Sequence, residues 1–329
     1  MNPISQKPVL SIKDLSVSFA TEKGLCQAVK KVNFVVYEGK TLALVGESGC
    51  GKSVTSLAVM RLLPDLANVS SGSIHFNGQD LLTLNKNSMC SVRGNDIAMI
   101  FQEPLTALNP VFTIGEQISE ALLIHKRITK KQAKDKACEL LDRVRIPEAR
   151  KRFDEYPFQL SGGMKQRALI AMALACEPKI LIADEPTTAL DVTIQAGILE
   201  LMKELQKEMN MGIIFITHDL GVVAEIADAV SIMYAGEVIE EGDVYQIFEN
   251  PRHPYTKGLL ESMPTLQTQK GEKLKTIKGS VPNLFNRTEA CNFENRCAYA
   301  KEVCRKEKPF LEEEVSGAKV ACHFHRTIS

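Results

Sequence analysis

Two stretches near the N-terminus alternate apolar and polar positions. LSVSF, from Leu15 to Phe19, and VNFVVYEGK, from Val32 to Lys40, both read as half-buried strands. Short unbroken apolar runs follow at Leu42 to Val45, Ile97 to Phe101, Ile180 to Ala183 and Ile213 to Thr217. Runs of that length between turn signals predict parallel core strands. Helical spacing separates them. Ile114, Ile118 and Leu122 share one face, as do Ala133, Ala137, Leu140, Leu141 and Val144. Ile194, Ile198, Leu201, Met202, Leu205 and Met209 form a third apolar stripe. All three stripes read as core. Past about residue 250 the pattern weakens, and prolines at 251, 254, 264 and 282 punctuate the chain.

Composition narrows this only slightly. The chain has 329 residues, 44% hydrophobic and 24% charged, which is ordinary globular usage with room for about two domains. Forty basic and forty acidic side chains cancel, so no nucleic-acid partner is expected. The longest apolar run, Ala168 to Cys176, is too short to span a bilayer. The first ten residues lack the charged and apolar regions of a secretory leader, so a cytosolic protein is expected. Nine cysteines, an odd number, argue against a disulfide framework.

Candidate chemistry begins at Gly46-Glu47-Ser48-Gly49-Cys50-Gly51-Lys52-Ser53, a GxxxxGK[ST] loop between a predicted strand and a predicted helix. In that context, backbone N–H groups cradle phosphate oxygens and the helix N-terminus adds positive potential. Lys52 suits the β- and γ-phosphates, and the Ser53 hydroxyl suits Mg²⁺. Cys50, close to a helix N-terminus, is expected to favour its thiolate. ILIADE ends a core strand in two carboxylates: Asp184 to hold Mg²⁺ and Glu185 to polarise an attacking water. Ser161, before Gly162 and Gly163, is a helix cap that leaves N–H groups open to an anion.

The loop, Leu160-Ser161-Gly162-Gly163-Met164, ILIADEP and Thr217-His218-Asp219 stand in an order and spacing that resemble the ATP-binding subunit of an ABC transporter, over about residues 10–255. The resemblance implies an α/β fold. Its cassette combines a parallel or mixed sheet core, an antiparallel β part and a helical subdomain at about 103–176. A small Cys-rich C-terminal extension would follow, placing the domains at 1–257 and 258–329. Gln102 would sense Mg²⁺ and γ-phosphate, His218 would touch the γ-phosphate, and Phe19 would stack on adenine. Ser161 and Gly163 would meet a nucleotide held by a second cassette, and Ala189-Leu190-Asp191 would cross that interface. Pro251 to Leu260 (PRHPYTKGLL), Lys278 to Pro282 and Met164 are similar to the dipeptide/oligopeptide importer group. That implies a paralogous ATPase in a heterodimer, two membrane permeases and, indirectly, an extracytoplasmic binding protein. The chain would then sit peripherally on the cytoplasmic face of a prokaryotic inner membrane. Import of nickel complexes or glutathione, and a soluble non-transport ABC ATPase, are the alternatives.

Four cysteines, Cys291, Cys297, Cys304 and Cys322, fall in the last 39 residues without the paired Cys-x2–4-Cys hooks of common zinc sites. Four soft thiolates at wider spacing suit an iron–sulfur cluster, and the resemblance implies [4Fe–4S]. Zinc and unliganded thiols remain open. His323 and His325 read as surface residues.

Overall fold

A computed structural model describes residues 7–102, 107–188, 190–264, 275–282, 284–285 and 289–327. The chain forms two compact units, each built from discontinuous segments.

One unit comprises 1–10, 36–40 and 83–216. Strands Ile97–Ile100 (β6), Ile180–Asp184 (β7) and Gly212–Thr217 (β8) run parallel there, with Ile97 opposite Ile180 and Ile180 opposite Gly212. The last two are buried at every position, which is why they read as unbroken apolar runs. The unit also holds helices Ile114–His125, Lys130–Arg143, Gly162–Leu174 and Val192–Met209, the third of which packs on Ile97–Ile100 and on the first two. The first two open on capping boxes, Thr113 with Glu116 and Thr129 with Gln132.

The second unit comprises 11–35, 41–82 and 217–329. β1 (Pro8–Thr21), β2 (Gly24–Tyr37), β4 (Ala67–Phe76) and β5 (Gln79–Asp80) form a four-stranded sheet in the order β2-β1-β4-β5. The alternation of Val32, Phe34 and Val36 is realised in β2: all three are buried while Asn33, Val35 and Tyr37 face out. Elsewhere in this unit, β3 (Thr41–Val45) runs parallel to β9 (Ala229–Tyr234). β9 turns through Ala235-Gly236 into antiparallel β10 (Glu237–Asp243). Two short C-terminal strands, β11 (Glu312–Glu313) and β12 (Lys319–Val320), extend it, β12 pairing with β10.

The core of this unit gathers Val45, Ile232, Tyr234, Ile239 and Tyr255 with Phe293 from the C-terminal segment. Phe293 stands nearly edge-on to Tyr234, with ring centroids 5.3 Å apart, and 5.5 Å from Tyr255. Among the described residues no helix is long and apolar enough to cross a membrane.

Candidate functional site

The Gly46–Ser53 loop lies in the second unit, where fully buried β3 delivers the chain into it. Two of its glycines, Gly46 and Gly51, are fixed by crowding. A Cβ on Gly46 would overlap the Met233 carbonyl oxygen, and one on Gly51 would come within 2.9 Å of the Ala28 carbonyl. Gly51 also holds φ at 104°, a conformation costly for other residues. Helix Lys52–Val59 starts there with no side-chain cap, which leaves its first N–H groups for a ligand. Lys52 is buried, and its Nζ donates to the carbonyl oxygens of Gly46 at 2.7 Å and Glu47 at 3.1 Å. Ser53 is half-buried, and Ser48 and Gly49 are exposed.

Cys50 departs from the sequence reading. Its side chain is buried against the loop, and burial pushes the thiol up, with nearby Lys52 offsetting only part of that. The helix terminus does not make it a ready thiolate, because desolvation outweighs the local positive charge.

Two features anchor Glu47. Its N–H donates to the Tyr255 hydroxyl at 3.0 Å. Its carboxylate is gripped by both terminal nitrogens of Arg296, at 2.9 and 3.0 Å. Tyr255 belongs to the His-Pro-Tyr-Thr stretch; Arg296 lies between Cys291 and Cys297. Neither contact is legible in the sequence, since 249 residues separate Arg296 from Glu47. In the same unit, Phe19 is half-buried on β1 and His218 is exposed just beyond the strand ending at Thr217. Asp219 caps the helix after it, accepting from Gly221 N–H at 2.8 Å.

The other unit brings Gln102 and Glu185 together. Glu185 follows the buried strand Ile180–Asp184 in a left-handed backbone conformation, φ 48°. Its carboxylate accepts from Gln102 Nε2 and from Thr188 Oγ1, both at 3.0 Å. Asp184, one position earlier, is buried. Ser161 caps Gly162–Leu174, accepting from Met164 N–H, and Asp191 caps Val192–Met209 through Ile194 N–H at 3.0 Å. These two helices meet at Gly163, where a Cβ would stand 3.0 Å from the Ile194 side chain. Ala189 lies outside the described residues.

Cys291, Cys297, Cys304 and Cys322 all line one narrow cavity beside His253 and Phe293. None is in a disulfide. Burial pushes the Cys291 and Cys322 thiols up to about 11 and raises Cys297 as well. Among the described residues, no three His, Cys, Asp or Glu side chains are grouped so as to hold a metal ion. His325 is not the surface residue its sequence position suggested: it is buried, with Nε2 2.8 Å from the Glu314 carboxylate. His323 is half-buried and its Nε2 meets the Glu307 carbonyl oxygen.

A family model for ABC transporters matches residues 29–188, and one for the oligopeptide/dipeptide transporter C-terminal region matches 239–304. The oligopeptide transport ATP-binding protein OppD of Bacillus subtilis is 54% identical over 302 residues, covering 92% of this chain and 84% of its own length. This chain belongs to the ABC transporter family, in its oligopeptide/dipeptide branch. Another member of that branch, the dipeptide transport ATP-binding protein DppD of Haemophilus influenzae, is 50% identical, covering 96% of this chain and 95% of its own length. Among solved ABC cassettes, the dimeric post-hydrolysis cassette MJ0796 bound to ADP and Pi shares 27% identity at a TM-score of 0.65. It covers 71% of this chain and 98% of that one. The cassette fold expected from the motifs is therefore present.

Proposed function

We propose that this chain hydrolyses ATP to energise uptake of dipeptides or oligopeptides by an ABC importer. The observation that carries this is the joint match of an ABC cassette and a peptide-transporter C-terminal region on one chain. The residue roles follow the chemistry already described. Lys52 and the open N–H groups of the loop bind the β- and γ-phosphates, and Phe19 stacks on adenine. Ser53, Gln102 and Asp184 offer hydroxyl, amide and carboxylate oxygens, a donor set that fits Mg²⁺. When bound, that ion neutralises phosphate charge. Glu185 orients and deprotonates the attacking water, with Gln102 holding the carboxylate, and His218 contacts the γ-phosphate. Ser161, Gly163 and Asp191 serve the nucleotide of a paralogous ATPase, so ATP bridges two chains and hydrolysis releases them.

In this reading, residues 1–257 form the cassette, with about 103–176 as its helical subdomain, and 258–329 form the extension. Two permeases hold the pair at the cytoplasmic face of the inner membrane, and a binding protein delivers solute to them.

Donor type supports a [4Fe–4S] cluster on the four thiols that line one cavity, and Cys291, Cys297, Cys304 and Cys322 would have to draw together from their present spacing to hold it. When bound, a cluster would cross-link the segment and take up the charge of the deprotonated thiols. Iron and visible charge-transfer absorbance in anaerobically purified protein support this; zinc near one equivalent without iron overturns it.

The test of the main reading is reconstitution with the neighbouring permeases and second ATPase. Glu185→Gln should keep ATP binding and lower ATP turnover and peptide uptake by about 10²–10⁴-fold. Normal hydrolysis by this variant removes Glu185 as the base. ATP-driven uptake of a nickel complex or glutathione in place of peptide shifts the substrate class.

A further inference from the structure

A carboxylate is an awkward neighbour for a polyphosphate, and Glu47 is the second residue of the loop. Its charge is met by Arg296 in a two-point fork, at 2.9 and 3.0 Å. The guanidinium is built into place. Nε donates to the Lys278 carbonyl, one terminal nitrogen to the Ile277 carbonyl and the other to the Tyr234 hydroxyl. The Tyr234 and Phe293 rings lie 5.7 and 6.0 Å from it. Its side chain is 5% exposed and that of Glu47 is 29%. Such a fork holds a carboxylate in both position and direction.

We propose that Arg296 is a positioning residue of the phosphate loop. Reaching from the Cys-containing segment, it neutralises Glu47 and turns its carboxylate aside so that the loop accepts a polyphosphate. This rests on the ATP-binding reading above. It makes nucleotide affinity depend on the segment around Arg296, whose short turn Glu294–Arg296 is framed by Cys291 and Cys297. Without the guanidinium, an uncompensated negative charge would stand beside the incoming phosphates, and its cost should rise with the number of phosphates.

The test is equilibrium titration of the full chain with fluorescent ATP, ADP and AMP analogues. Arg296→Met should weaken ATP binding about tenfold or more, ADP less and AMP least, a factor of ten being 1.4 kcal/mol. Glu47→Gln combined with Arg296→Met should recover most of that loss. Arg296→Lys, which keeps the charge and loses the fork, should fall between wild type and Arg296→Met. Unchanged affinity in Arg296→Met overturns the proposal. So does a loss equal for all three nucleotides, or one the double variant does not recover. If Arg296→Met does not fold, Glu47→Gln alone decides: it should bind ATP at least as tightly as wild type, and weaker binding overturns the counter-charge role. Wild-type chain that binds no ATP would instead remove the functional reading itself.

Discussion

Replacing Phe293 with alanine asks whether the C-terminal segment is part of the fold or only attached to it. The ring is 4% exposed, packed edge-on to Tyr234 and 5.5 Å from Tyr255. Removing a buried Phe ring costs about 3–5 kcal/mol through lost transfer energy and the cavity left behind. Each aromatic contact accounts for about 0.5–1.5 kcal/mol within that range. Phe293→Leu, nearly conserving volume, should cost under about 1.5 kcal/mol. Urea titration of the full chain measures both. The chain has no tryptophan and six tyrosines, so tyrosine fluorescence, to which Tyr234 and Tyr255 contribute, follows the unfolding. A cost for Phe293→Ala below about 1 kcal/mol would show that the ring contributes little core, and the reasoning would fail.

The fully buried His253 imidazole accepts the Tyr255 N–H, and burial lowers its pKa to about 3. Its contribution is complete above the unfolded value near 6.5 and is lost as pH falls from there toward 3. His253→Asn should therefore flatten the stability-versus-pH curve by roughly 2 kcal/mol between pH 6.5 and 5; an unchanged slope refutes the assignment. Cys50 should react with iodoacetamide far more slowly than exposed Cys90, because it is buried and its thiol is pushed up. Peptide mapping showing equal rates would contradict this. Gly163→Val must displace Ile194 and should cost about 1–3 kcal/mol in thermal or urea unfolding; wild-type stability would refute the packing account.

The cassette motifs were legible because each couples a local pattern to a chemical requirement. Gly46 to Ser53 and Ile180 to Glu185 are contiguous, and their apolar strands carry no ambiguity. The hairpin of β9 and β10 was not. Glu237, Glu240 and Glu241 interrupt the apolar positions of β10, and a buried carboxylate contradicts a strand pattern. Glu240 is tolerated inside because it accepts the N–H groups of Arg252 and His253, and burial raises its pKa. The tail misled in the opposite sense. Past about residue 250 the apolar pattern weakens, yet Phe293 joins the core of its unit. The Arg296–Glu47 pair joins positions too far apart for any pattern to link them, and the arginine belongs to no motif.

The two-residue turn at Ala235-Gly236 looks like an ideal place to splice in a tag or a reporter domain, since tight turns between adjacent strands usually accept insertions. Here that expectation should fail. The Gly236 N–H donates to the Cys50 carbonyl at 2.9 Å, and its own carbonyl accepts from Lys30 N–H at 2.8 Å. The turn is thus a clasp between β2 and the phosphate loop. Anyone engineering this chain would do better to leave it intact and splice at the exposed Glu22-Lys23 turn between β1 and β2.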